Sequence, residues 1–347
     1  MKRIGWIDAV RFIAIFHIVF IHVLDKFWPE LLAYWVTPPY SLLPFLFCAK
    51  DAVLLFCVLL GFFASKPHRF SIGRFAGYTV KRYFQFSFFI LCTGFVYVCA
   101  AYGVTWIFHS PDPLVYRILC DGASYNLIYV LRDAFLLEAT YNPTLWSMQQ
   151  FFFASILCYL IGCIADRTGP LVTLAVSFTV IAVLLLPGSE YLSWIAFCVL
   201  GVPVRIYYES RDRFSFMGKR GVRIALLVAA IVLYKLPESS TAYFMYGIAS
   251  VLLLMICFHS PGVRRALDTA PLPALGRISF GVFILHTPVN SILYSSFYPF
   301  ISALLPAWGT TLILFVLTLS ISTGCSWLLD SAYSHLLRRF TGEKLRA

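Results

Sequence analysis

Ile4-Gly5-Trp6-Ile7-Asp8-Ala9-Val10-Arg11-Phe12-Ile13-Ala14-Ile15-Phe16-His17-Ile18-Val19-Phe20-Ile21-His22-Val23-Leu24 follows Lys2 and Arg3 near the start of the chain. The hydrocarbon core of a bilayer is about 30 Å thick and takes about 20 residues of helix to cross, so an apolar run of this length is read as a transmembrane helix. A cleavable signal segment has a shorter apolar centre that ends at small residues. This run instead carries Asp8, Arg11, His17 and His22 and leads into the bulky Phe27-Trp28-Pro29, so it is expected to be retained as a first span.

The same texture continues through the chain. Of 347 residues, 60% are hydrophobic, 18% aromatic and 12% charged, whereas a soluble domain is about one quarter charged. Apolar runs bounded by charge, proline and glycine fall near 5–25, 42–64, 84–106, 144–165, 170–187, 190–207, 222–237, 242–259, 278–298 and 308–329. The reading is an all-α integral membrane protein of about ten transmembrane helices, forming a single polytopic domain over 1–347 with a basic cytoplasmic tail at 329–347. The run at 222–237 is the weakest, because it is short and ends at Lys235-Leu236-Pro237.

Charge placement gives the orientation. A net charge of +11 would suit nucleic acid in a soluble protein, but in a membrane protein the position of each Lys and Arg matters more than their sum. With the N-terminus placed inside, 22 of the 27 Lys and Arg residues fall on the cytoplasmic side, in clusters at 2–11, 66–82, 205–223, 264–277 and 338–346 plus Arg167. Positive loops are retained in the cytoplasm, so both termini are expected there and no nucleic-acid partner is. The longest non-spanning stretch, from Trp106 to Pro143, then lies outside. Its apolar centre at Tyr125–Leu131 suits a re-entrant or interfacial helix. Ten cysteines show no CxxC and no Cys/His grouping, so no metal site is expected.

Ionisable groups inside a span cost about 2.5–3.5 kcal/mol on insertion scales and are functional candidates for that reason. Arg11 and His22 are eleven residues apart, three turns plus about 20°, and therefore share a helix face about 16 Å apart along the axis. Asp8, one turn before Arg11, can pair with it. A second group lies in the ninth run, where Ser279 and His286 are seven residues apart on one face and Pro288 follows. These residues suit either group transfer or transport of a polar solute. An imidazole with a pKa near neutrality serves proton transfer.

Trp6-Ile7-Asp8-Ala9-Val10-Arg11, ten further residues and then His22 resemble the first-span motif of the acyltransferase 3 family of membrane-bound O-acyltransferases. The likeness extends along the chain in order: Phe56–Phe62 in the second span, Lys81-Arg82 at the start of the third, Leu145-Trp146-Ser147-Met148 at the fourth, and Ser279 to His286 late in the chain. The resemblance implies a multi-pass protein of the cell (inner) membrane. It would take an acyl group, usually acetyl from acetyl-CoA, and deliver it to a hydroxyl of an envelope glycan or lipid-linked sugar, with no permanently bound cofactor. It implies His22, Arg11 and Asp8 as catalytic residues and Arg82, Lys81, Ser279, His286 and Trp146 as donor- or substrate-binding ones. Three positions depart from the family pattern. Gln85 stands where many relatives carry a second arginine, Leu60 precedes Gly61 in place of serine, and Gln149-Gln150 occupy the stretch where a glutamate is common. A glycan or small-acid transporter or flippase is the alternative that the residues alone leave open.

Overall fold

The computed structural model describes residues 4–36, 49–108, 127–137, 143–234 and 240–341. Among them the chain is mostly helical, with no strand: α1 Gly5–Phe27, α2 Pro29–Val36, α3 Ala49–Ala64, α4 Ile72–Phe108, α5 Leu127–Ala134, α6 Trp146–Thr168, α7 Pro170–Leu185, α8 Glu190–Val199, α9 Gly201–Glu209, α10 Arg220–Tyr234, α11 Ser240–Phe258, α12 Pro261–Leu267, α13 Leu272–Ser296, α14 Tyr298–Leu304 and α15 Ala307–Thr341. Six helical stretches are long and apolar enough to cross a bilayer: α1, 72–99 of α4, α6, α8 with α9, α13 and most of α15. A seventh is obtained if α11 and α12, bent by 98°, count as one. Each of the ten apolar runs overlaps a helix, but α7, the apolar part of α3 and, with 15 described residues, α10 are shorter than a full crossing. The centre of the long stretch between Trp106 and Pro143, expected outside, contains the short helix α5, while 109–126 and 138–142 lie outside the described residues.

Three helices run beyond the apolar stretch that announces them. α15 continues past Leu329 to Thr341, so the part of the basic tail that is described is helical and not a loose extension. Tyr333 anchors it by packing against Phe88 and Phe89 and donating a hydrogen bond of 3.4 Å to the Lys81 carbonyl. α4 begins at Ile72, and α13 begins at Leu272 with Pro273 in its first turn.

The chain divides into two compact units, residues 1–18, 33–80 and 149–276 in the first and 19–32, 81–148 and 277–347 in the second. In the first unit α3 packs against α8, α9 and α11. The approach is close because two glycines face each other: a Cβ on Gly61 would strike the Cys198 carbonyl, and one on Gly201 the Val58 carbonyl. Small residues permit such contacts between apolar helices. The sharp turn between α11 and α12 is tied by Arg223 Nη1 donating to Ser260 Oγ at 2.8 Å and by Tyr207 Oη and His259 Nε2 at 2.6 Å. In the second unit a Cβ on Gly281 of α13 would collide with Ser326 of α15, whose hydroxyl donates to the Ile278 carbonyl at 2.6 Å. Phe280 packs edge-on against Phe86 and Phe89 of α4.

Candidate active site

The second unit brings two intramembrane histidines together. On α13, Ser279, Val282, Phe283, His286 and Asn290 are all buried, as spacings of three and four along a helix require for one inward face. That face meets the C-terminal half of α1, where the rings of His22 and His286 lie 5.2 Å apart between centroids, tilted by 53°. Asn290 Nδ2 donates to the His22 carbonyl at 3.2 Å and fixes the register of the two helices.

The two imidazoles are held differently. His286 is fully buried, and its Nδ1 is 2.7 Å from the Phe283 carbonyl. A carbonyl can only accept, so Nδ1 carries the proton and, in the neutral ring, Nε2 is the acceptor. Thr287 Oγ1, 3.2 Å away, supplies that hydrogen bond. His22 is half-buried, and among the described residues its ring nitrogens meet no hydrogen-bonding side chain. One imidazole is thus locked by its own helix, and the other is presented beside it.

A turn further along α1, Lys26 donates to Ser291 Oγ at 3.3 Å and sits 5.0 Å from the centre of the Tyr294 ring. The polar seam therefore continues from the histidines through Asn290 to Lys26. Asn290 Oδ1 and Ser279 Oγ are buried and without a hydrogen-bond partner among the described residues. A small cavity of about 10 Å³ lies alongside, lined by Thr93, Asp133, Ile284 and Pro288 among others. Sequence reading missed Asn290, Lys26 and Ser291, and placed Thr287 beside His286 without a role. The only signal was a four-residue spacing, His22 to Lys26 and His286 to Asn290, in two runs that nothing in the sequence pairs.

In the first unit, Arg11 Nη1 lies 3.4 Å from Asp8 Oδ1 and its guanidinium 5.8 Å from the Phe56 ring. Asp8 is buried, and its main chain is pressed against Gly276, where a Cβ would collide with the Asp8 carbonyl. The acid and the guanidinium expected to pair do so, on a helix that is continuous to His22.

The remaining candidates are spread along the second unit. Phe89 beside Phe280, and Thr93 and Ile284 around one cavity, set α4 and α13 parallel. Lys81 and Arg82 then lie about 20 Å of helix rise below the level of His286. Lys81 is exposed, and Arg82 donates to Gln85 Oε1 at 3.1 Å. Trp146 is 39% exposed at the start of α6, next to Ser147, whose hydroxyl donates to the Thr144 carbonyl at 3.1 Å. Ser279 is two turns below His286 and out of its reach. Among the described residues no three His, Cys, Asp or Glu side chains are grouped to hold a metal ion.

Comparison with known proteins gives one finding. A family model described as an acyltransferase domain matches residues 4–328. No curated protein and no solved structure matches the chain. With a match over nearly its whole length, this membrane protein of apolar helices belongs to the acyltransferase 3 family, enzymes that transfer acyl groups other than aminoacyl groups.

Proposed function

We propose that the protein is an O-acyltransferase of the cell (inner) membrane that moves acetyl, or a related short acyl group, from cytoplasmic acyl-CoA to a hydroxyl of an envelope glycan or lipid-linked saccharide. Ten crossings with both termini in the cytoplasm fit the ten helical runs and the charge bias of the loops. The observation that carries the chemical part is the His22–His286 pair, one ring fixed and the other presented.

In this reading the acceptor hydroxyl attacks the thioester carbonyl. A C–O bond forms, the C–S bond breaks, His22 takes the hydroxyl proton, and that proton then passes to the departing thiolate. His286, bonded to Thr287, is the fixed neighbour of the base. Asn290 holds α13 against the His22 backbone and offers its side-chain oxygen to a sugar hydroxyl, with Ser279 and Trp146 as further substrate contacts. Arg11, steadied by Asp8, and the basic pair Lys81 and Arg82 are the donor-binding groups, since guanidinium and ammonium suit the phosphates of coenzyme A.

The test is transfer of label from acetyl-CoA, added to the cytoplasmic face of membrane vesicles, into envelope glycan. Wild type should label glycan, whereas His22→Ala and Arg11→Ala, inserted at equal level, should not. Label unchanged in His22→Ala would remove the general base from the mechanism. Vesicles that accumulate a polar solute without consuming acyl-CoA would replace the enzyme reading with transport.

A further inference from the structure

In the first unit a cysteine and a histidine from different parts of the chain meet. Cys163, on α6, has its Sγ 3.0 Å from Nε2 of His68, in the loop between α3 and α4. The other ring nitrogen, Nδ1, is 2.6 Å from the Lys66 carbonyl. That carbonyl can only accept, so Nδ1 bears the proton and the Nε2 lone pair of the neutral ring faces the thiol. A nucleophile bonded to a base whose far side is oriented by a third group is the arrangement that activates a thiol for covalent catalysis.

The surroundings keep this geometry. The His68 ring lies 3.9 Å from the ring of Tyr159, which stacks at 4.2 Å on Tyr78, and Tyr78 Oη donates to the Ser155 carbonyl. The loop passes directly over the residue before the cysteine. A Cβ on Gly162 would lie 2.9 Å from the carbonyls of both Ser65 and Lys66, so a glycine there lets the orienting carbonyl come close. Beside the dyad is an open cleft of about 270 Å³, lined by Phe70, Leu160, Cys163, Ile164, Arg167 and Thr168. Its apolar wall suits an acyl chain and the pantetheine arm of a thioester, and Arg167 one turn beyond Cys163 suits an anionic group. Arg69 and Arg74 lie on the same loop and helix start, a segment that the charge bias assigns to the cytoplasm.

We propose that Cys163 and His68 form an acyl-loading site at which an acyl thioester transfers its acyl group to the Cys163 thiol. His68 Nε2 takes the thiol proton as Cys163 Sγ attacks the carbonyl. A new C–S bond forms, the C–S bond to the donor breaks, and the proton passes to the departing thiolate. One thioester is exchanged for another, so no further reactant is needed. The site is separate from the histidine pair and rests on the proposed function only in taking an acyl thioester as donor.

The experiment uses the full-length protein in membranes or detergent with two radiolabelled probes, acetyl-CoA and acetyl-pantetheine, the second lacking the nucleotide and its phosphate groups. Wild type should acquire close to one label per chain from both probes, removed by neutral hydroxylamine, and Cys163→Ala should acquire none. Cys163→Ser, which keeps the size of the side chain, should yield at most a hydroxylamine-resistant ester. His68→Gln should slow loading by about 100-fold, the usual scale of a lost general base. No label on wild type from either probe, or label that survives in Cys163→Ala, overturns the proposal. Glycan acetylation at the wild-type rate with no label on Cys163 would sink this inference and leave the proposed function standing. Label on Cys163 with no acetyl reaching any glycan would do the reverse.

Discussion

His22 and His286 show how two residues of one type are held differently by their surroundings. His286 spends both ring nitrogens on its own helix, on the Phe283 carbonyl and the Thr287 hydroxyl. His22 shares its ring face with that fixed imidazole. His22→Ala is therefore expected to lower kcat by about 100- to 10,000-fold, the range for a lost general base, with little change in the acceptor KM. Asn290→Leu should act on both constants: acceptor KM rises about tenfold because a buried amide oxygen available to a sugar hydroxyl is lost, and kcat falls as well because the hydrogen bond to the His22 carbonyl goes with it, checked by initial rates against acceptor concentration. The proposed donor site can be tested at Gln85, which accepts a hydrogen bond from Arg82 one turn earlier on α4. Gln85→Arg is expected to lower the KM for acetyl-CoA by adding a second cation for phosphate, and an unchanged KM would remove Arg82 from the proposed donor site.

At the scale of helices, close approach decides which pairs form. Gly61 and Gly201 lie where α3 meets the break between α8 and α9, and neither has room for a methyl group. Gly61→Val should cost about 1–3 kcal/mol by overpacking, read as a lower melting temperature in detergent. Gly77 in α4 has nothing within 4 Å of an added Cβ, so Gly77→Ala should leave stability equal or raise it by up to about 1 kcal/mol. The contrast separates glycines that serve packing from those that merely sit in a helix. Tyr333 has a comparable role for the long α15, since its ring packs on Phe88 and Phe89 beyond the apolar stretch.

The topology of the whole chain is open to a direct measurement. Ser189→Cys, in the short turn before α8, should react with a membrane-impermeant maleimide added to intact cells, while Ser215→Cys, among the basic residues before α10, should react only after permeabilisation. The reverse pattern would move both termini, and the donor side of the reaction, across the membrane. By itself, the sequence determined the class of the protein and its helices: an apolar content of 60% excludes a soluble exterior, and runs of membrane length are helical because backbone groups in lipid must be bonded within their own segment. It also determined the Asp8, Arg11 and His22 stripe, because three residues on one helix share a face by period alone. What only the tertiary structure decided is which faces meet. Nothing in the periodicity of either run pairs His22 with His286, sets Lys26 against Ser291, or carries His68 from its loop to Cys163. Period fixes the direction in which a side chain points along its own helix. The neighbour it finds there depends on contacts between distant parts of the chain, made by small residues such as Gly61 and Gly201 that are locally no different from Gly73 and Gly77.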